Sequence, residues 1–322
     1  MKRIYSVIIC SFILFLQIPA PASAAQLLIP GGQVIGLRLE DGTVTVAGFD
    51  DALGDRARQA GLRVGDAIET INGHPVSCAQ DIREALEQTP DTVSLTIRRG
   101  AKTHILQFAP HDDSGRARLG IFLKQGISGI GTVTWIDPDS GVFGALGHGV
   151  NDGRGILLNM VRGDAFFAEV AAVRKGTAGA PGQLKGNVDS PENWGSLFRN
   201  TPQGVFGTTY FRTAAIPLPV AEYDDIETGA ATIRSTVSGH TIQEYSVEIL
   251  KIYPEERPCG RNFLLKVTDP RLLSTTGGIV QGMSGSPIIQ DGKLVGAVTH
   301  VLVNSPDTGY GIYIGNMLDA AG

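Results

Sequence analysis

Short apolar runs separated by clusters of Gly, Pro, Asn and Asp dominate the chain from about residue 113 onward. Such runs lie at residues 131–136, 156–160, 205–211 and 245–253, and no long amphipathic helix interrupts them. Short strands with frequent turn residues are typical of all-β sandwiches and barrels. The pattern therefore predicts an all-β unit over residues 113–322, large enough for a pair of barrels, with the Gly- and Pro-rich stretch 176–203 as a surface loop.

Residues 27–110 follow a different pattern, which mixes strands with one helix. Ile82, Ala85 and Leu86 give the helix a single apolar face, and the runs 93–98 and 103–108 alternate as two strands that pair across a short turn. Upstream, residues 60–73 combine a Gly-Asp turn, an apolar strand and an Asn-Gly turn. This segment is predicted to be a separate α+β unit.

The first 24 residues have the three parts of a secretory signal. Lys2 and Arg3 precede an almost uninterrupted apolar run over residues 4–18, and residues 19–24 end in Ala-Ser-Ala. The apolar run is short for a stable transmembrane helix. We therefore expect export, with cleavage after Ala24 favoured over retention as a membrane anchor.

Charge and cysteine content exclude several classes of function. Removal of residues 1–24 takes two basic residues from the 27 in the chain, which leaves 25 against 32 acidic residues and a net charge near −7. This balance, without a basic run, argues against nucleic-acid binding. Cys78 and Cys259 fall in different predicted units, and no C-x-x-C or H-E-x-x-H pair is present. The sequence therefore predicts no cofactor, no metal site and no disulfide framework.

Candidate chemistry is concentrated at residues 278–287, where Ser284 lies between glycines just before an apolar hairpin. A serine needs a base to take its proton and backbone N–H groups to receive the oxyanion. Gly282 and Gly285 permit the turn that this requires, and the N–H groups of Gly282 and Ser284 are the predicted oxyanion hole. The alternative is a tight turn that carries serines by chance, with Ser286 as the next candidate nucleophile.

The base is expected among six histidines. Three of them, His74, His104 and His111, fall in the N-terminal part of the chain, before the second unit. In the second unit, His240 has the surroundings of a turn residue, and His300, which closes the strand after the serine, is the alternative base. His148 lies between two glycines at the end of an apolar strand, and it is the predicted base, although a structural role for it is the plain alternative.

Several acids between the histidine and the serine could complete a triad: Asp189, Asp224, Asp225 and Asp269. Asp269 ends an apolar strand 15 residues before Ser284, so that the chain order is His, Asp, Ser. The sequence Asp-Pro is also a common opening of a helix or turn. Asp269 is the predicted acid, and Asp224, Asp225 or a serine–histidine dyad stay open as alternatives.

Four segments, at residues 143–148, 175–182, 276–289 and 297–314, together resemble the SpoIVB (stage IV sporulation protein B) serine peptidase family. The resemblance covers nearly the whole mature chain, and within it His148, Asp269 and Ser284 match the catalytic residues. It implies a mainly β fold, with an N-terminal PDZ domain at residues 27–110 and a chymotrypsin-like double β-barrel at residues 113–322.

The resemblance also implies a biological role. Family members are exported from the forespore, process themselves and cleave a membrane-bound regulator, after which a partner intramembrane protease activates a late sigma factor. We therefore expect a protein or peptide substrate, and a location between the forespore and mother-cell membranes.

Residues 60–73 resemble the core of PDZ domains, which bind an extended peptide by adding it as a strand to a sheet edge. The ligand, part of this chain or of a membrane partner, is expected beside residues 34–39. The predicted peptide-binding residues are Gly31, Gly32, Ile35, Gly36, Leu37, Ile82 and Leu86. A phosphate loop is a poorer reading of the glycines, because no Gly-Lys-Ser/Thr follows.

Two other functions fit parts of this pattern. An HtrA-like envelope quality-control protease also combines a chymotrypsin-like unit with PDZ domains, but there the PDZ domain follows the protease. A non-catalytic PDZ signalling scaffold would need the catalytic residues to have decayed, and candidates for all three are present.

Overall fold

The computed structural model describes residues 26–88, 91–110, 115–255 and 260–322. The predicted signal segment, His111 and Cys259 lie outside these ranges. Within the described ranges, no helix combines the length and the apolar character that crossing a membrane requires.

Three groups of strands follow one another along the described chain, with short helices between them. The first strands and helices are β1 (Leu27–Pro30), β2 (Val34–Phe49), α1 (Asp55–Gln59), β3 (Ala67–Ile71), β4 (His74–Pro75), α2 (Ala79–Glu87), β5 (Val93–Arg99) and β6 (Lys102–Phe108). The middle group is β7 (Ile121–Ile136), β8 (Val142–Ala145), β9 (Arg162–Arg174), β10 (Gln183–Thr201), β11 (Gly204–Thr209) and β12 (Leu218–Pro219). The last group is β13 (Gly229–Thr236), β14 (Ile242–Ile252), β15 (Phe263–Val267), α3 (Pro270–Thr276), β16 (Pro287–Gln290), β17 (Lys293–Leu302), β18 (Ser305–Tyr313) and α4 (Ile314–Ala321).

The last group closes into a barrel in the order β13-β14-β15-β18-β17-β16. Alternate residues of its strands point inward, and Ile233, Ile249 and Phe263 are fully buried there. The predicted hairpin after Ser284 is confirmed, since β16 pairs with β17 across a turn at residues 291–292.

The first barrel along the chain is formed by β2, β9, β10, β11, β8 and β7, because β7 pairs with β2 as well as with β8; the barrel of the last group is the second barrel. The core of the first barrel includes Ile35, Leu37 and Leu39 from β2, and Phe143 from β8. The two barrels and the mainly β content agree with the predicted fold class. The loop predicted at residues 176–203 is wrong, because β10 occupies most of it. The glycines of β10 allow its neighbour β11 to approach closely, since a Cβ on Gly195 would lie 2.5 Å from the Thr208 carbonyl oxygen.

The small α+β unit is inserted between two strands of the first barrel. The first half of β2 pairs with β9 and with the second half of β7, whereas residues 44–49 pair with residues 121–125 of β7 and, in part, with β3. One two-stranded ribbon therefore runs through both units. A bulge separates the halves, where Gly126 has φ +60° and its Cβ would meet the Leu39 carbonyl oxygen at 1.9 Å.

This connection shifts the predicted domain limits of 27–110 and 113–322. Residues 27–40 belong to the first barrel, and the small unit extends to about residue 125 along β7. The resemblance to PDZ domains predicted a strand at residues 34–39 correctly, but it assigned that strand to the wrong unit. The small unit has its own core, to which Ile82 and Leu86 of α2 contribute.

Candidate active site

Ser284 lies at the tip of the loop between α3 and β16, at the junction of the two barrels. Gly282 and Gly285 have φ values of +100° and +96°, which side chains rarely tolerate. A Cβ on Gly285 would lie 2.0 Å from the Thr132 carbonyl oxygen, so the loop approaches β7 at a distance open only to glycine. The loop thereby presents Ser284 while Met283 is fully buried beneath it.

Backbone hydrogen bonds fix this loop but leave two donors unused. The N–H of Gly285 donates to Val298 O at 2.8 Å, and that of Ser286 to Met283 O at 2.9 Å. Within the part of the chain that the structure describes, the N–H groups of Gly282 and Ser284 have no acceptor. These are the two predicted oxyanion-hole donors, and the free N–H groups suit them to bind an oxyanion.

His148 follows β8 after a turn in which Leu146 and Gly147 both have positive φ values, +69° and +67°. A left-handed leucine is unfavourable and persists only where the surroundings hold it. The Nδ1 of His148 lies 3.0 Å from Gly149 O, and because a carbonyl can only accept, Nδ1 carries the proton. The other ring nitrogen, Nε2, is therefore the basic one. Burial lowers the pKa of His148, which favours the neutral form that a base needs.

His148 and Ser284 line the same cleft, of about 450 Å³, between the barrels. In the absence of substrate the Ser284 hydroxyl donates to Thr299 O at 2.9 Å rather than to His148. Catalytic hydrogen bonds often form fully only when substrate is bound. The rest of the wall is largely apolar and includes Ile279 and Val301.

The structure does not bring Asp269 to this cleft. Asp269 is the N-cap of α3, and its carboxylate accepts from the N–H groups of Arg271 (2.8 Å) and Ser246 (3.3 Å). The Arg271 guanidinium also donates to it at 2.7 Å, and this pairing holds the pKa of Asp269 at about 2. The role of Asp269 as triad acid stays a prediction that these contacts do not support. They are the contacts of a residue that opens a helix, which was the alternative interpretation of Asp269.

Of the other candidate acids, Asp224 and Asp225 do not replace it, and the side chain of Asp189 lies outside the described part of the structure. The carboxylate of Asp225 pairs with the Lys293 ammonium at 2.8 Å. Asp225 belongs to the short 3-10 turn Tyr223–Asp225, which also contains Asp224. None of the residues that line the cleft in the described chain is acidic. The group that orients the His148 imidazole here is the backbone carbonyl of Gly149.

His300 is a cleft residue whose position the sequence did not reveal. Its ring centroid lies 5.4 Å from that of His148, with an angle of 41° between the ring planes. Its Nδ1 is buried and has no hydrogen-bond partner among the residues that the structure describes. Burial, followed by the nearby His148 and Arg261, lowers the pKa of His300 to about 4, so the ring is neutral at pH 7.

Thr132 of β7 is a second residue that sequence reasoning missed. It is fully buried; its hydroxyl donates to Gly282 O at 2.8 Å and its N–H donates to Ser284 O at 3.1 Å. Thr134, two residues on, donates to Gly285 O at 2.8 Å. A strand of the first barrel thus holds three carbonyl groups of the serine loop. The close pair Gly129 and Gly131 before Thr132 was the available signal.

The hairpin of β9 and β10 holds the same loop from the other side. Leu184 N–H donates to Gln281 O at 2.8 Å, and Gln281 N–H donates to Gly182 O at 3.1 Å. At the hairpin tip, Gly176 N–H donates to Thr276 O at 2.8 Å. The segment before Ser284 is therefore anchored on both sides by the opposite barrel.

Comparison with known families agrees with this geometry. The family model described as SpoIVB peptidase S55 matches residues 115–318. The chain belongs to the SpoIVB peptidase S55 family. It is a serine peptidase, and a PDZ-domain model also matches residues 56–99, within the small unit. A search of curated proteins found no match.

Three solved structures that are similar to this S55 peptidase share 14–24% sequence identity with it. The PDZ domain of the SdrC-like protein from Listeria monocytogenes shares 24% identity over 25% of this chain and 85% of that chain, with a TM-score of 0.22. The Rv3671c protease from M. tuberculosis shares 14% identity in its active form, over 61% of this chain and 75% of that one, with a TM-score of 0.37. Its inactive form shares 15% over 59% and 82%, with a TM-score of 0.36.

The S55 peptidase has a groove in its PDZ domain, but not at the predicted strand. Residues 34–39 are paired on both edges, with β7 and β9, so the prediction of a free edge there is wrong. Of the predicted peptide-binding residues, Gly31, Gly32, Ile35, Gly36 and Leu37 belong to the barrel side of the ribbon. Leu37 lines the catalytic cleft, and a Cβ on Gly32 would meet Ile242 of the second barrel at 2.8 Å.

Ile82 and Leu86 do line a groove, of about 480 Å³, between α2 and the beginning of β7. In the described chain, residues 121–125 of β7 pair with β2 on one side and with no strand on the other. Phe122, 58% exposed, lies on this edge. An edge strand beside a helix is the arrangement by which PDZ domains take a peptide.

Proposed function

We propose that this chain is an exported serine endopeptidase of sporulation signalling. It processes itself and cleaves a membrane-bound regulator, so that a partner intramembrane protease can activate a late sigma factor. The proposed place of action is the space between the forespore and mother-cell membranes. Membership of the SpoIVB family, the basic and apolar start of the chain and the PDZ domain support this proposal.

The observation that carries the peptidase mechanism is the meeting of Ser284, His148 and two unused N–H groups in one cleft. In the proposed mechanism Ser284 Oγ attacks the peptide carbonyl while His148 Nε2 takes its proton. The N–H groups of Gly282 and Ser284 bind the oxyanion, and His148 then returns the proton to the leaving amine. The Gly149 carbonyl holds the imidazole in the tautomer that this requires.

The PDZ ligand in this proposal is an extended peptide from the chain itself or from a membrane partner, added as a strand beside residues 121–123. Phe122→Ala should weaken its binding, since this exposed ring lines the groove. Ile105→Ala is the matched control, because Ile105 is an exposed apolar residue, 69% accessible, on β6 away from the groove. Equal loss of binding in both variants would contradict this placement.

Expression of the mature chain beside its Ser284→Ala form tests the catalytic proposal. The wild type should react with a fluorophosphonate and yield self-processing fragments, and Ser284→Ala should do neither; digestion of casein by the wild type would instead indicate a broad, HtrA-like protease. Ser286→Ala is the matched control: this serine is fully buried, and its hydroxyl bonds to Ser235 at 3.0 Å, so activity should persist. Activity retained by Ser284→Ala and lost by Ser286→Ala would refute the assignment.

The biological proposal needs a cellular test. A sporulating cell that carries only Ser284→Ala should accumulate the uncleaved membrane regulator and fail to activate its late sigma factor. Normal timing of that activation in the variant would separate this peptidase from the proposed signalling step, even if the purified protein cleaves peptides.

A further inference from the structure

A second and larger cavity opens beside the catalytic cleft. Its volume is about 920 Å³, a size that holds ligands in many proteins, and Leu37, Gly129 and Ile130 line both this cavity and the cleft. A Cβ on Gly129 would meet no atom within 4 Å, so no side chain at this position separates the two spaces. A peptide bound in the cleft can therefore continue into the second cavity.

The wall of the second cavity is joined directly to the serine loop. Leu184 of β10 lines the cavity, and its N–H donates to Gln281 O at 2.8 Å. Gln281 precedes Ser284 by three residues and lines the catalytic cleft. The hydrogen bond thus holds the cavity wall in a fixed position relative to the nucleophile.

The second cavity is lined by three basic side chains, those of Arg38, Arg162 and Lys185. None of its lining residues in the described chain is acidic. This local excess of positive charge occurs in a protein whose formal net charge is −5. Because a concave surface with charges of one sign attracts the opposite charge, the cavity suits an anionic group.

The arginines of the cavity are partly neutralised, whereas the lysine is not. Asp164 accepts from the Arg38 guanidinium at 2.7 Å, and its carboxylate lies 3.7 Å from the Arg162 guanidinium. The Arg38 guanidinium also lies 5.1 Å from the centroid of the Phe166 ring, which helps to hold it in place. In the part of the chain that the structure describes, no carboxylate pairs with the exposed Lys185. The Lys185 ammonium is therefore the charge most available to a ligand.

We propose that this cavity binds a glutamate or aspartate of the substrate, a few residues after the scissile bond. Ile279 and Val301 line only the catalytic cleft, where they suit an uncharged side chain before the bond. The chain after the bond leaves past Gly129 and Ile130, and its carboxylate binds the Lys185 ammonium. The effect on cleavage rests on the proposed peptidase function, whereas binding of an acidic peptide does not.

The three basic residues determine specificity and take no part in the proton transfers, since none of them lines the catalytic cleft. An ion pair at an exposed position contributes up to about fivefold in affinity. We therefore expect kcat/KM for a peptide with glutamate after the scissile bond to be about fivefold above that for glutamine, mainly through KM. Because the charges are partly exposed, about 0.5 M sodium chloride should reduce this preference.

Three peptides that differ only in glutamate, glutamine or lysine at the second to fourth position after the scissile bond test the site. The wild type should prefer glutamate, and Lys185→Glu should lose this preference or favour lysine. Lys266→Glu is the matched control, because Lys266 is an exposed lysine on β15 outside both cavities and the change in net charge is the same. It should keep the wild-type ratios. Each result is a ratio within one variant, so differences in the amount of folded protein cancel.

Anisotropy of the same peptides, labelled and bound to Ser284→Ala, separates this site from the proposed function. Glutamate-dependent binding that Lys185→Glu abolishes and Lys266→Glu retains, in a chain whose wild type cleaves none of the peptides, would uphold the site and refute the peptidase function. Cleavage with no preference among the three peptides, or with a preference that both lysine variants change equally, would overturn the site and leave the peptidase function intact. Equal binding of all three peptides in a chain that cleaves none would refute both.

Discussion

Replacement of Thr132 by valine tests whether the first barrel positions the catalytic loop of the second. Valine keeps the volume and shape of threonine but removes the hydroxyl that donates to Gly282 O at 2.8 Å. The Thr132 N–H, which donates to Ser284 O at 3.1 Å, is unchanged. The variant therefore removes one bond next to an oxyanion-hole donor and leaves the strand in place.

The cost follows from burial. Thr132 is fully buried, so no water replaces the hydroxyl, and a buried acceptor without a partner costs about 1–3 kcal/mol. If the Gly282 peptide group shifts and the whole of this free energy is lost from stabilisation of the transition state, the rate falls about 5- to 150-fold. We expect kcat to fall about tenfold with little change in KM for a short peptide, because the hole acts on the oxyanion and not on the ground-state substrate.

Steady-state kinetics and thermal melts of three variants give the answer. Thr132→Ser retains the hydroxyl and should recover most of the rate. Thr236→Val is the matched control, since Thr236 is also buried and donates to a carbonyl, that of Gly32, at 2.9 Å, but it lies outside the cleft. It should lose stability without losing kcat. Equal kinetic losses in both valine variants, or full kcat in Thr132→Val, would refute the positioning role.

His148→Ala should reduce the rate as severely as Ser284→Ala, by about 10³-fold or more; near-normal turnover would require another base. Because burial lowers the pKa of His148, the acidic limb of kcat/KM should lie below pH 6.5, and an inflection above that value would contradict this. Asp269→Asn should mainly destabilise the fold, by at most about 2–3 kcal/mol, because pairing with Arg271 lowers the pKa of this carboxyl from 3.8 to about 2. A depressed folded-state pKa stabilises the fold above pH 3.8, and this contribution is lost as the pH falls through 2; a large loss of kcat at unchanged melting temperature would restore the triad role. A peptide library should show an uncharged residue before the scissile bond, since Ile279 and its neighbours line the cleft without charge; a profile dominated by Arg, Lys or Glu would be incompatible with that wall.

Local sequence signals predicted those parts of the site that are local. The glycines around Ser284 specify a turn with positive φ, and the Asp-Gly turn at residues 291–292 specifies the next hairpin, so both were visible in the sequence. Asp269 shows the limit of such signals. An aspartate before proline has the same appearance as a helix cap or a catalytic acid, and only the contact with Arg271 distinguishes the two roles.

Non-local pairing could not be predicted in the same way. The resemblance to PDZ domains indicated a strand at residues 34–39, but it did not say that the strand continues to Phe49, with one half in a barrel and the other in the PDZ domain. Thr132 escaped notice for a related reason, because its bond to Gly282 O joins segments 150 residues apart. His300 was considered only as an alternative base, and its place beside His148 also depends on a long-range contact. Burial of a side chain against a distant backbone leaves no periodic signal in the sequence.

The ribbon of β2 and β7, which both units share, has a consequence for how the protein folds. The barrel cannot close until these two strands meet, and the PDZ domain is the stretch of chain that separates them. If the PDZ domain folds first, it brings the end of β2 and the start of β7 together, although some 70 residues separate them in the chain. The entropic cost of pairing these two strands in the barrel is then lower. A gene divided at residue 110 would place β2 and β7 in different proteins. The first barrel, which needs both strands, would then be split. The PDZ domain thus also holds together the two strands on which the first barrel assembles, and neither unit can be exchanged without the other.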